Sequence, residues 1–92
     1  MNFLDVLNTA TTSLSDNKLS KKLGIGRTTV SAWRNRGTIP EDEILDKLAE
    51  ISGIPVEKVY FATYADKIGN PMVATLLRNF SELKIVADNN KT

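Results

Sequence analysis

The residues best suited to molecular recognition lie in one short segment, GIGRTTVSAWRN, which covers residues 24–35. The segment holds the only tryptophan of the chain together with three hydroxyl side chains, two arginines and one asparagine. Hydroxyl and amide groups can hydrogen-bond the edges of nucleic-acid bases, and a guanidinium group can bind guanine or phosphate. The composition of this segment therefore favours hydrogen-bonded recognition of a polar ligand.

Catalytic chemistry has little support in the same sequence. The chain contains no histidine and no cysteine, which excludes histidine acid–base catalysis, disulfides and the usual zinc sites. It also lacks a glycine-rich phosphate-binding loop. The consecutive acidic residues Glu41, Asp42 and Glu43 diverge on a helix, so they favour stabilisation of a helix N-terminus over a Mg²⁺ site. We expect no catalytic residue, no metal and no cofactor.

Charge is distributed unevenly along the 92 residues, although the formal net charge is only +1. Residues 15–37 contain six basic residues and one acidic residue, whereas residues 38–70 contain three basic and seven acidic residues. This asymmetry predicts one basic and one acidic face. No apolar run approaches the roughly 18 residues of a membrane span, and the N-terminus lacks the cationic start of a signal peptide. We expect a cytoplasmic protein of one small domain, with no membrane partner.

Helical periodicity runs through most of the chain, and strand alternation is nowhere sustained. Capping residues divide the chain into six predicted helices: a serine starts the second, glycines end the second and fourth, and prolines open the last three. The third helix covers residues 27–35 and stops before a glycine. The predicted boundary residues are Ser15, Gly24, Gly37, Pro40, Gly53, Pro55, Asn70 and Pro71. This pattern predicts an all-α fold with short connections.

Apolar residues recur at helical spacing and mark the faces of the predicted helices that we expect to pack. On the first helix they are Phe3, Leu7, Ala10 and Leu14. On the fourth helix they are Ile44, Leu45, Leu48 and Ile51. On the fifth helix they are Val56, Val59, Tyr60 and Ile68. The sixth helix carries Met72, Val73, Leu76, Leu77, Phe80 and Leu83.

Residues 16–35 meet the physical requirements of a helix-turn-helix. Two short helices that cross steeply need apolar facing sides, a small residue at the crossing and a turn residue that tolerates positive φ. Ser20 is the small residue and Gly24 is the turn residue. The apolar facing residues are Leu19, Leu23, Ile25, Val30 and Trp33.

A helical wheel of residues 27–35 separates a core side from an outer side. Val30 and Trp33 point inward, which favours core packing of the tryptophan over stacking on a base. The outward residues are Thr28, Ser31, Ala32 and Asn35, with Arg27 and Arg34 along one flank. Short hydroxyls, an amide and a methyl can enter a DNA groove, where the methyl can contact that of thymine. The third helix is therefore predicted to read DNA.

The segment SDNKLSKKLGIGRTTVSAWRNRGTIPEDEILDKLAEISG, residues 15–53, resembles the lambda-repressor/Cro-like (Xre) helix-turn-helix family of bacterial and phage regulators. The resemblance extends over about residues 2–68 and implies a five-helix lambda-repressor-like DNA-binding domain at residues 1–69. Residues 70–92 would be an additional C-terminal amphipathic helix and tail. The implied function is sequence-specific regulation of transcription, by a phage or prophage repressor that binds a palindromic double-stranded DNA operator as a homodimer.

Roles for individual residues follow from their positions in the family motif and on the wheel. Base contacts are expected from Arg27, Thr28, Ser31 and Ala32. Contacts to the DNA backbone are expected from Asn17, Lys18, Lys22, Arg34, Asn35 and Arg36, although for Lys22 a merely solvated helix face is an equal alternative. The chain departs from the family at Asp16, where the family often has a phosphate-binding glutamine, and at Gly26, which replaces a serine or threonine cap. A carboxylate beside phosphate is unfavourable, so Asn17 or Lys18 takes that role here.

The last predicted helix has an apolar repeat that suits association. Leu76, Phe80, Leu83 and Ala87 recur at intervals of four, three and four residues, as in a coiled-coil seam. We expect residues 71–87, with part of the fifth helix, to form a dimer interface centred on Leu76, Phe80 and Leu83, with docking on the chain's own domain as the alternative. No sensory domain for a small-molecule effector is evident.

Two alternatives come from other classes of function, an enzyme and a protein-binding module, and the enzyme has almost no support because histidine and cysteine are absent. A three-helix corner of this kind can bind protein instead of DNA. In an antitoxin-like or adaptor protein, the C-terminal helix would bind a partner protein and DNA binding would be secondary. The basic charge of residues 15–37 and the hydroxyl-rich outer side of the third helix favour DNA.

Overall fold

The computed structural model of the protein describes residues 1–82. This range contains six α-helices and no strand, which confirms the all-α fold. The helices are α1 (Phe3–Ala10), α2 (Asp16–Leu23), α3 (Arg27–Asn35), α4 (Asp42–Ser52), α5 (Val56–Lys67) and α6 (Pro71–Glu82). Leu83 and Ala87 lie outside the described residues, so their predicted roles stay predictions, as does the division at residue 69. None of the described helices is long and apolar enough to cross a membrane.

Local capping chemistry explains the ends of several helices. The Ser15 hydroxyl oxygen accepts a hydrogen bond of 3.1 Å from the backbone N–H of Lys18 and so caps α2. Gly24 ends α2 with a left-handed φ of +72°, and Gly53 ends α4 at +77°. The Asn70 side chain accepts bonds of 2.9 and 3.2 Å from two backbone N–H groups of α6. These boundaries confirm the predicted capping residues.

Three expectations about the helices were wrong: the position of Leu14, the start of α4 and the packing at the two ends of α5. Leu14 does not extend the stripe of α1, because α1 ends at Ala10. The hydroxyls of Thr11 and Thr12 bond backbone carbonyls of that last turn, at 2.9 and 3.2 Å, and such bonds compete with continuation of the helix. Pro40 does not open α4.

Glu41 is the N-cap of α4, with extended backbone, and α4 begins at Asp42. Pro40 remains in the preceding connection, where it lines a hollow with Ile39 and Ile44. On α5, Val56 and Ile68 are exposed instead of packed. The backbone of Ile68 is extended and lies outside the helical phase, and Val56 is only the first residue of α5.

One hydrophobic core joins the first five helices. Trp33 is 4% exposed, and its ring meets that of Phe3 edge-on at 5.7 Å between centroids, which confirms the tryptophan as a core residue. Leu45 and Leu48 are fully buried on α4, with Ile44 and Ile51 at the margin of the core. The buried members are Phe3, Val6, Leu7, Ala10, Leu19, Leu23, Val30, Trp33, Leu45, Leu48, Ala49, Val59 and Ala62.

Helix α6 packs against α5. Ala74 is buried, and the Phe80 ring, although 48% exposed, lies 5.7 Å from the Phe61 ring of α5. Ser81 is also buried, and its hydroxyl donates to the backbone oxygen of Met1 at 3.4 Å. Asp66 of α5 ties this end together, because it accepts hydrogen bonds from the Arg78 guanidinium at 3.1 Å and from the backbone N–H at the start of α1 at 3.0 Å. Four apolar residues of α6 remain exposed, and we call them the exposed stripe of α6: Met72, Val73, Leu76 and Phe80, of which Phe80 also borders α5.

Candidate nucleic-acid interface

The inner side of the helix-turn-helix fixes α3 against α2. Leu19 and Leu23 of α2 and Val30 of α3 are buried. At the crossing, Ser20 is 2% exposed and its hydroxyl donates to the backbone oxygen of Asn17 at 2.7 Å, so the buried hydroxyl is satisfied. The backbone N–H of Ile25, the residue after Gly24, donates to the backbone oxygen of Ser20 at 3.0 Å. Apolar packing therefore holds α3 against α2, and the backbone hydrogen bond from Ile25 to Ser20 closes the turn between them.

The four outward residues of α3 share one solvent-facing surface, which we call the outer face of α3: Thr28, Ser31, Ala32 and Asn35. Thr28, Ser31 and Asn35 are exposed, and Ala32 is half-buried. The Asn35 side-chain amide donates to the Ser31 hydroxyl oxygen at 3.1 Å, which orders both groups on this surface. The amide oxygen of Asn35 makes no hydrogen bond within residues 1–82 and can accept one from a ligand. The assignment of these groups to bases or backbone stays a prediction.

The predicted cationic contacts surround that face unequally. Arg27 is exposed at the first position of α3, and Arg36 is exposed at its C-cap. Asn17 and Lys18 are exposed in the first turn of α2. Lys22 lies elsewhere: it lines grooves with Glu50 and with other residues of α1 and α4, and no α3 residue lines either groove. Lys22 therefore lies on the side of α2 that borders α1 and α4, and its contact with the DNA backbone stays a prediction.

Arg34 makes a hydrogen-bond network that sequence analysis missed. Its Nε and Nη2 donate to the two carboxylate oxygens of Asp16, each at 2.9 Å. Its Nη1 donates to the Asn8 side-chain oxygen at 2.8 Å, and Nη2 also donates to the Thr11 hydroxyl at 3.0 Å. Four of the five guanidinium N–H groups are thus used inside the protein. The available signal was the unexpected carboxylate at Asp16, but no helical spacing rule relates residues on different helices.

The acidic side of the molecule is organised by α4 and α5. The Tyr60 hydroxyl donates to the Asp46 carboxylate at 2.7 Å, and the Tyr64 hydroxyl donates to the Asp42 carboxylate. The Asp46 hydrogen bond, with smaller contributions from burial and nearby negative charge, raises the pKa of Tyr60 to about 12. The bond to Asp42 likewise raises the pKa of Tyr64. Within residues 1–82 no three potential ligands gather into a metal site.

Comparison with known proteins agrees with this geometry. A family model described as helix-turn-helix matches residues 13–59, which is 47 of the 92 residues and includes all of α2, α3 and α4. The chain belongs to this lambda-repressor-like (Xre) helix-turn-helix family. It is accordingly a DNA-binding regulator of transcription. Neither a curated protein nor a solved structure matches the chain significantly.

Proposed function

We propose that this protein is a sequence-specific repressor that binds a palindromic double-stranded DNA operator as a homodimer. The observation that carries the proposal is the outer face of α3, which presents hydroxyl, amide and methyl groups to solvent while Val30 and Trp33 are buried behind it. Such a face can enter a major groove and hydrogen-bond base edges. The proposal includes a phage or prophage origin, which rests on the family resemblance.

Each group at the interface has a proposed role. Arg27 and the outer-face residues Thr28, Ser31 and Ala32 contact bases. Asn17, Lys18, Lys22, Asn35 and Arg36 contact the DNA backbone, where amide donors and cations bind phosphate oxygens. The protein represses by occupying the operator and needs no cofactor or small-molecule effector, and it resides in the cytoplasm on the nucleoid.

The exposed stripe of α6 supports association with a second copy of the chain. Met72 is 75% exposed and Leu76 is 53% exposed, and all four residues of the stripe are uncharged. A palindromic operator requires two copies related by a two-fold axis, and a two-fold interface uses the same patch on both copies. An apolar stripe on a single helix can meet its own copy in this way. Leu83, the third predicted interface residue, would extend the stripe.

A second candidate function uses the same stripe differently. In an antitoxin-like or adaptor protein, α6 would bind a partner protein and α3 would be secondary. The observation that favours this candidate is that the stripe remains exposed although α6 already packs on α5 through Ala74 and one side of Phe80. A stoichiometric heteromeric complex that forms without DNA, from a chain that is monomeric alone, would support it.

Fluorescence anisotropy on two labelled duplexes tests the proposed function. One duplex is the region upstream of the protein's own gene, and the other is shuffled DNA of equal composition. We expect a preference for the native duplex that persists from low to physiological salt. Weak binding to both duplexes that disappears with salt would contradict the proposal, because it would show that the basic surface attracts DNA only non-specifically.

A further inference from the structure

The network of Arg34 joins three helices at one point. Asp16 is the first residue of α2, and Arg34 lies in the last turn of α3. Asn8 belongs to α1, and Thr11 is the first residue after the end of α1. The Arg34–Asp16 contact is bidentate, with both bonds at 2.9 Å, and parallel N–H···O bonds fix relative orientation as well as distance. The network therefore constrains the orientation of α3 relative to α1 and α2.

The charges in this network have a specific consequence for DNA binding. Asp16 stands at the N-terminus of α2, beside Asn17 and Lys18, which are proposed to contact phosphate. An unpaired carboxylate there would repel the DNA backbone. If Arg34 left Asp16 to bind a phosphate, it would create that unpaired carboxylate and would also abandon its bonds to Asn8 and Thr11.

We propose that Asp16 and Arg34 are positioning residues that set the orientation of α3 for operator binding, and that Arg34 contacts no phosphate. This inference rests on the proposed DNA-binding function and replaces the backbone contact predicted for Arg34. Asp16, the departure from the family motif, is then the partner that Arg34 requires. The specificity of the protein depends on a pair that does not itself contact a base.

The sign of one substitution separates positioning from simple electrostatics. Asp16→Asn removes a negative charge next to a polyanion, so electrostatics alone makes this variant bind DNA more tightly. If the carboxylate holds Arg34 and thereby α3, the same substitution weakens binding to the native duplex. Glu57→Gln, which removes an exposed carboxylate from α5, controls for the change in net charge.

The experiment measures anisotropy on the native and shuffled duplexes over a salt series for the wild type, Asp16→Asn, Arg34→Gln, Arg34→Lys and the Asp16→Asn/Arg34→Gln double variant. We expect each single variant to lose about 2- to 30-fold in affinity for the native duplex, the range typical of residues that act through others. On shuffled DNA we expect little loss for Asp16→Asn, and for Arg34→Gln a loss smaller than on the native duplex, because that variant leaves the Asp16 carboxylate unpaired beside the DNA backbone. We expect an unchanged salt slope and a double variant no weaker than the weaker single variant. Arg34→Lys keeps the charge but not the planar fork, so it should not rescue binding.

Several outcomes would overturn the inference. Tighter binding by Asp16→Asn, a salt slope reduced by about 0.9 in Arg34→Gln, or full rescue by Arg34→Lys would each assign Arg34 to phosphate. An equal loss on both duplexes by Arg34→Gln would also assign Arg34 to phosphate, because a phosphate contact carries no sequence information. Circular dichroism at the assay temperature shows whether the variant is fully folded, so that a loss of folded protein is not mistaken for this result. If the wild type itself shows no preference between duplexes, the proposed function fails and the inference with it. A specific wild type with unaffected variants overturns the inference alone.

Discussion

At the scale of single residues, side chains of similar chemistry have different surroundings. Arg27 is exposed, whereas Arg34 is held by Asp16, Asn8 and Thr11. Residue type and wheel position placed both arginines on one flank of α3, and that placement could not distinguish them. The distinction requires the crossing of α1, α2 and α3, which is a property of the packed molecule.

Arg27 and Lys18 should differ in how they affect DNA binding. If Arg27 contacts a guanine, Arg27→Ala costs about 1–3 kcal/mol on the native duplex and little on shuffled DNA. Lys18→Ala should weaken both duplexes alike and reduce the salt slope by about 1, because a phosphate contact carries no sequence information. Anisotropy over a salt series measures both effects. Identical profiles for the two variants would refute this division of roles.

Tyr60 should make the protein sensitive to alkaline pH. Its pKa is raised to about 12 in the folded state from an ordinary value of 10.0, so the neutral hydroxyl favours folding. This contribution is complete below pH 10 and is lost as the pH rises from 10 towards 12. Absorbance at 295 nm should show tyrosinate forming above pH 10, and Tyr60→Phe should remove the tyrosinate that forms near pH 12. Titration of both tyrosines at the ordinary pKa would contradict the hydrogen bonds to α4.

At the scale of elements, the helices with local capping signals were the most predictable. Ser15 and Gly24 fix the ends of α2 through their own side chain or backbone freedom, so sequence suffices there. The start of α4 was misplaced because a proline is compatible both with a first turn and with the connection before it. In the structure Pro40 stays in the connection and lines a hollow with Ile39 and Ile44, a placement that depends on tertiary contacts and that a single-sequence rule does not contain.

Gly24 provides a direct measure of the turn in the helix-turn-helix. An added Cβ would meet no atom within 4 Å, so the cost of Gly24→Ala comes from the left-handed φ of +72° alone. We expect urea denaturation to show a loss of about 1–2 kcal/mol for Gly24→Ala. Gly24→Asn should lose less, because asparagine adopts this conformation more readily. Equal stability of Gly24→Ala and the wild type would mean that the turn is not left-handed in solution.

At the scale of the whole molecule, the described chain has a basic helix-turn-helix, an acidic α4 and an apolar stripe on α6. The sequence predicted the charge asymmetry and the apolar character of the last helix. It left dimerisation and docking as alternatives because an apolar repeat does not specify its partner. Helix α6 docks on α5 and still exposes Met72, Val73 and Leu76, with Phe80 at the border, so docking on the chain's own domain does not exclude a dimer interface.

Substitution within the exposed stripe tests the proposed dimer. Leu76→Lys places a charge in the stripe, whereas Thr75→Lys places the same charge on an exposed residue beside it. We expect sedimentation to show dimers for the wild type and Thr75→Lys and monomers for Leu76→Lys, because an unpaired charge at an apolar interface is costly. Leu76→Lys should also bind the native duplex more weakly. A dimer that survives Leu76→Lys would exclude the stripe as the interface.

The central claim is that the outer face of α3 reads the DNA sequence, and a matched pair of threonines tests it most directly. Thr28 belongs to this face, and the adjacent Thr29 lies on the side of α3 that lines the hollow near α4. The measurement is the ratio of affinities for the native and shuffled duplexes at physiological salt. We predict that Thr28→Ala lowers this ratio by about fivefold, the value of one hydrogen bond, and that Thr29→Ala leaves it unchanged. A ratio unaffected by Thr28→Ala, or lowered equally by both substitutions, would contradict the account.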